Sequence, residues 1–281
     1  MQKTFDVTGP VELEVRLAAG DIEVDPTLED RVEIELTAYD DESQRLIDEA
    51  RVELQERHNR PQIVVDVPQK RGGFSFALSF GRSGISCRIR CPHESGLSVR
   101  TKSADVQARG LLGGLNVSSA SADVEVDRVS GGVSVKSASG DFSARETNGG
   151  VNVQTASGDI SLEVARGPVN VTTASGDVTI EEAYDNVNAN TVSGDQHHGA
   201  VMQGNLGATS VSGDVSIGVR RGSKAFLDCS TVSGDTSSEL ALGSEVPDGD
   251  GPLVEIRAKT VSGDITITRA PAPSDTQEVH A

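Results

Sequence analysis

The sequence contains no tryptophan, and aromatic residues of all kinds make up only 3% of its 281 positions. A large globular core built on ring packing is therefore excluded, and the aromatic platforms on which sugars commonly sit are scarce. Positive charge is also short, with 25 Lys and Arg against 43 Asp and Glu and a formal charge of -18. Affinity for phosphate polymers comes mainly from Lys and Arg displacing counterions, so no nucleic acid is expected as a partner, and anionic lipid is repelled. No run approaches the roughly 18 apolar residues of a helical membrane span, so no membrane insertion is expected.

Cysteines are few and odd in number. Cys87 and Cys91 lie in the alternating run ISCRIRC, about 13 Å apart along a strand, and Cys229 is alone in sequence. A disulfide needs Cα atoms about 4.4 to 6.8 Å apart, so all three are read as free thiols, which fits a reducing compartment. With no second Cys or His cluster, a zinc site is not expected. The opening MQKTFDVTGPVELEV lacks the basic start and apolar run of a secretory leader, so the expected location is cytoplasmic.

What the sequence has in abundance is Gly, Ser, Thr, Val and Asp, and they recur with a period. An Asp preceded by Ser-Ala or Ser-Gly falls at Asp105, Asp123, Asp141, Asp159, Asp177 and Asp195, each 18 residues after the last. The corner continues at Asp214, Asp235 and Asp264 with steps of 19, 21 and 29, the longest step holding the insert LGSEVPDGDGP. Solenoids tolerate insertions of this kind at a fixed corner. Leu115, Val133, Val151, Val169 and Val187 form one apolar column, and Val117, Val135, Val153, Val171 and Ala189 a second. Between them stands a polar column, Asn116, Ser134, Asn152, Asn170 and Asn188, so this segment alternates with period two and is a strand.

After the Asp, a second strand begins. Its apolar columns are Val106, Val124, Phe142, Ile160 and Val178, and Ala108, Val126, Ala144, Leu162 and Ile180. The opposite corner reads Gly113-Gly114, Gly131-Gly132, Gly149-Gly150 and Gly167-Pro168, where glycine is expected to supply positive φ. Ala120, Ala138, Ala156 and Ala174, just before the Asp corner, read as a tight interior. The fold class is all-β: a single parallel β-solenoid of 18-residue coils, with either two or three faces.

Residues 1–100 read as irregular coils and a cap continuous with the solenoid, 101–269 as the regular repeats, and 270–281 as a disordered tail. Val11, Leu13, Val15 and Leu17 alternate, Ala19-Gly20-Asp21-Ile22 resembles a corner, and Val32, Ile34 and Leu36 form a further strand. Leu46, Ala50 and Leu54 predict one short helix from Ser43 to about Leu54, placed to cap the solenoid end.

The repeated T-A-S-G-D-V corners, the GD-I-E-V start and the Gly-rich interruption near residue 72 resemble the bacterial family of β-strand repeat proteins named putative adhesins. The resemblance covers the chain to about residue 268. It implies a β-solenoid and a binding or regulatory role, with some relatives tied to envelope-stress signalling, and it implies no catalytic residues and no cofactor.

Three constellations stand out. Carboxylates about 4.8 Å apart in a ladder repel by roughly 0.9 kcal/mol per neighbour in water, so each Asp is expected to accept backbone N–H bonds within its own turn. A calcium ladder on Asp105, Asp123, Asp141, Asp159, Asp177 and Asp195 is the sharper alternative, weakened because the second corner carries no recurring acid. In RGGFSFALSFGRSG, Phe74, Phe76, Leu78 and Phe80 alternate with small residues, giving a strand that either packs over the solenoid end or serves as an interaction edge. Finally, Gln196, His197 and His198 interrupt the apolar columns, which points to a widened or bulged coil. Adjacent histidines on a strand face opposite ways and do not chelate one ion in the usual manner.

No nucleophile with its base stands apart from the repeat. The expected function is a non-enzymatic binding or scaffold protein with a protein partner, in a cytosolic regulatory setting. A self-assembling structural protein is the alternative, ahead of a calcium-binding roll or a polysaccharide-active β-helix enzyme.

Overall fold

The computed structural model describes residues 1–57, 60–69, 84–240 and 251–270. The 18-residue period appears directly as strand register. Val133 pairs in parallel with Leu115 on one side and Val151 on the other, Val151 pairs with Val169, and Phe142 lies between Val124 and Ile160. Each regular coil has two strands, so the solenoid has two faces. All four apolar columns predicted from the repeat point inward and are at most 4% exposed.

A fifth inward column completes the core: Leu112, Val129, Thr147, Ala165, Ala183, Val201 and Val219, each at most 1% exposed. From Val129 to Val201 each follows the second-strand alternation by three residues, not two. In the 142–147 coil Phe142 and Ala144 point inward, Arg145 and Glu146 turn outward in succession, and Thr147 turns back in. The strand therefore bends, which closes the coil toward the glycine corner. The period of 18 holds from Val129 to Val201, so this column was present in the sequence but masked by the break in alternation.

The corners differ from expectation in two respects. Positive φ belongs to the Ser-Gly-Asp glycines, such as Gly158 at +149° and Gly176 at +145°, and not to the Gly-Gly corner. At the Gly-Gly corner the demand is for space: a Cβ on Gly131 would run into the Gly113 carbonyl of the coil below. Ala120, Ala138, Ala156 and Ala174 are exposed. The inward residue is the one before each alanine, a Ser or Thr whose hydroxyl ties the corner: Thr155 Oγ1 donates to the Ser157 carbonyl at 3.1 Å and Ser137 Oγ to that of Ser139 at 2.6 Å.

At the beginning, Glu12–Leu28 makes one long strand bent at Gly20-Asp21, and it stacks in parallel on Gly96–Leu112, with Asp21 opposite Asp105. The corner read at Ala19 to Ile22 is thus present. Outside it lies a coil formed by Arg60–Asp66 and Ile85–Pro92. Beyond that the pairing turns antiparallel, with Arg31–Ala38 against Ile85–Pro92, Gln2–Asp6 against Arg31–Ala38, and Arg51–Arg57 against Arg60–Asp66.

The helix spans Asp41–Asp48 and is shorter than predicted. Asp40 caps it, its carboxylate accepting from the Ser43 N–H at 2.6 Å. Eight residues rise about 12 Å, enough to cross between two sheets packed about 10 Å apart, and Ile47 is buried in the core beneath it. The chain then enters a strand, which leaves Leu54 exposed.

The last two coils are transposed. Leu253–Lys259 pairs with Gly204–Thr209 on one side and Lys224–Ser230 on the other, and Ile265–Arg269 sits between Val215–Val219 and Thr236–Ser238. Ala270, assigned to the tail from sequence, is 1% exposed and donates its N–H to the Val219 carbonyl. Residues 271–281 and most of the 242–252 insert lie outside the described residues.

Candidate interaction surface

The Asp corner organises the molecule's most regular edge. Each carboxylate accepts from the backbone N–H of the Asp one coil further on, and not within its own turn as predicted. Asp123 N–H donates to Asp105 Oδ1 at 3.0 Å, Asp159 to Asp141 at 2.8 Å, Asp177 to Asp159 at 2.9 Å and Asp195 to Asp177 at 2.8 Å. The series runs on through Asp214, then Asp264, then Asp235, following spatial order and not chain order. Returning bonds run from the residue after each Asp, as when Val124 N–H donates to the Asp141 carbonyl at 2.8 Å.

These bonds give each carboxylate from Asp105 to Asp195 a partner in the next coil and offset the repulsion along the ladder. One oxygen of each carboxylate from Asp105 through Asp195 is already engaged by an N–H, and among the described residues no group of three His, Cys, Asp or Glu is placed to hold a metal.

Flanking the Asp row on the exposed side runs a row of small apolar residues: Ala120, Ala138, Ala156 and Ala174, followed by Val192, Val211, Val261 and Val232. The valines are 47 to 82% exposed. The sequence carries this row two residues before each corner Gly or Ala, and the interior reading of its alanines is overturned, since they face solvent.

The first face, built from the strands before the Asp corner, carries a polar column. Asn116, Asn152, Asn170 and Asn188 all project outward from parallel strands in register. In the next coil Gly207 takes the column position, followed by Arg257. The missing side chain leaves a shallow groove lined by Pro168, Asn170, Asn188, Asn205, Gly207 and Arg257. On the second face, Arg166 bridges coils through Glu146 at 2.7 Å and lies 5.2 Å from the Tyr184 ring centroid.

The coil that begins at the interrupted columns is bulged, Asp214 following Asp195 by 19 residues, and its polar residues nevertheless stay inside the stack. Gln196 and His198 pair in register with Val178 and Ile180 below and Val215 and Ile217 above, and both side chains point inward at 1% exposure; the register irregularity falls after His198. His197 is exposed on the opposite side. The Gln196 amide donates to the Thr209 carbonyl at 2.9 Å and to Thr191 Oγ1 at 3.2 Å. Burial pushes the His198 imidazole down to about 4, with His197 adding to the effect. The buried thiols of Cys87 and Cys91 are pushed up to about 12 by burial.

Phe74, Phe76, Leu78 and Phe80 lie outside the described residues. Among the described residues no helix is long and apolar enough to cross a membrane.

Comparison with solved structures finds a putative adhesin of Bacteroides fragilis at 12% identity and TM-score 0.47, covering 95% of this chain and 96% of that one. A putative adhesin of Parabacteroides distasonis is 15% identical at TM-score 0.47 with the same coverages, and a putative lipid binding protein of that organism is 14% identical at 0.48, covering 96% of both chains. No curated protein matches the chain. The family described as Toastrack DUF4097 matches residues 11–268, a span holding the coils, both corners and the inward columns. The chain belongs to the Toastrack DUF4097 family.

Proposed function

We propose that the protein is a non-enzymatic scaffold that binds a protein partner on its first face, working as a cytosolic regulatory module. One observation carries this reading: the column Asn116, Ser134, Asn152, Asn170 and Asn188 sets short polar side chains in register along the outside of one sheet. Short amides donate and accept, lose little entropy on binding, and bring no charge repulsion. The unpaired cysteines support a reducing compartment.

The test is capture of partners from native cytosol on immobilised protein, with the triple variant Asn152→Arg, Asn170→Arg, Asn188→Arg beside the parent. These side chains are exposed, so the fold should tolerate the change. A partner held by the parent and lost by the variant supports the reading; a partner held equally by both removes the first face as its site.

A further inference from the structure

The two ends of the solenoid are not alike. At the beginning the helix Asp41–Asp48 lies across the core with Ile47 1% exposed. At the far end the inward residues of Lys224–Ser230, namely Ala225, Leu227 and Cys229, remain half-buried, whereas their counterparts one coil inward, Val254, Ile256 and Ala258, are fully buried. Phe226 and Leu253 project from this end at 56% and 52% exposure.

Among the described residues Lys224–Ser230 is also an open edge, pairing with Leu253–Lys259 alone. The Lys224 N–H donates to the Pro252 carbonyl and the Ser230 carbonyl accepts from Thr260, which sets the phase. In a parallel pair alternate residues turn their backbone groups to one neighbour. Lys224, Phe226, Asp228 and Ser230 therefore bond inward, and Ala225, Leu227 and Cys229 present N–H and C=O to the open side.

The edge is complementary to itself. A two-fold axis at Phe226 would set a second copy antiparallel, with Ala225 opposite Leu227 of the other chain, each pair exchanging two hydrogen bonds. Phe226 then faces Phe226, and Lys224 faces Asp228 twice over, all on the same outward side. Moving the axis to Leu227 would set Phe226 against Asp228 and discard both charge pairs, so charge selects the register.

We infer that two copies of this chain join end to end through antiparallel pairing of Lys224–Ser230, forming a symmetric dimer whose two-sheet core is continuous. The contact is isologous, so it closes at two copies and does not propagate. It does not depend on what the first face binds.

Sedimentation at several concentrations, run on the full chain, tests this. The parent should be a dimer. Lys224→Asp places like charges opposite at both ends of the pairing and should weaken the dimer roughly tenfold, and Lys224→Asp with Asp228→Lys should restore it. Phe226→Cys in a Cys229→Ser background should give a covalent dimer on mild oxidation, because directly opposed non-hydrogen-bonded residues lie about 4.5 Å apart. Cysteine at Val211, on the corner two coils inward, should not. A parent that stays monomeric at every concentration, a dimer indifferent to Lys224→Asp, a double variant that fails to restore it, or absence of the Phe226→Cys cross-link would each overturn the inference.

Discussion

His198 is the residue at which the stack departs furthest from apolar uniformity. It stands in the column of Leu162, Ile180 and Ile217, its Nδ1 has no partner, and its Nε2 is 3.4 Å from Gln196 Oε1. The folded state holds the ring neutral down to about 4, whereas an unfolded histidine takes up a proton near 6.5. Between those values the unfolded chain binds the extra proton. Stability is therefore full above pH 6.5 and falls as the pH drops toward 4, by on the order of 3 kcal/mol. His198→Leu should flatten that part of the profile and raise stability at neutral pH, since leucine also fills this column at Leu162. Thermal midpoints at pH 7 and pH 5 check it, and an unchanged difference between them would rule His198 out as the cause. The break in the columns was legible in QHH, but the side chains' direction was not. The register of the neighbouring coils holds Gln196 and His198 inward.

At the level of the element, the Asp corner is a hydrogen-bonding device in which a side chain completes the ladder between strands. Asp159 accepts from the Asp177 N–H at 2.9 Å while its own N–H is taken by Asp141. Asp159→Asn keeps an acceptor and removes charge repulsion from two neighbours, so stability should hold or rise. Asp159→Ala leaves the Asp177 N–H without its partner and should cost about 1 kcal/mol. Chemical denaturation of both variants separates this from an ion ladder, in which Asn and Ala would both be harmful and calcium would protect the parent. The strands were readable because alternation and period agreed in four columns at once. The fifth column, the exposed alanine row and the end of the helix were not, since each depends on a local bend or crossing distance that opposing sheets impose.

For the whole molecule, the transposed ends matter most. The coil that is last in sequence, Leu253–Arg269, lies between two others, and Glu12–Leu28 is likewise covered by a coil formed later in the chain. A stack of coils ordinarily frays from its ends, because an end coil has one neighbour. Here each chain-terminal coil has two. Hydrogen exchange should therefore find the amides of Ile265 and Ile267 as slow as those of Ile160 and Leu162. Fast exchange at Ile265 and Ile267 would contradict the sandwiched placement.

The sequence by itself determined the coil length, the parallel stacking and four inward columns, because residues 18 apart repeat one another and identical side chains stack without conflict. Tertiary structure alone decided which coil stands outermost, where the helix ends and which glycines carry positive φ. Those outcomes rest on contacts between segments far apart in the chain, such as Asp214 with Asp264, and no local period encodes the order in which distant coils come to lie.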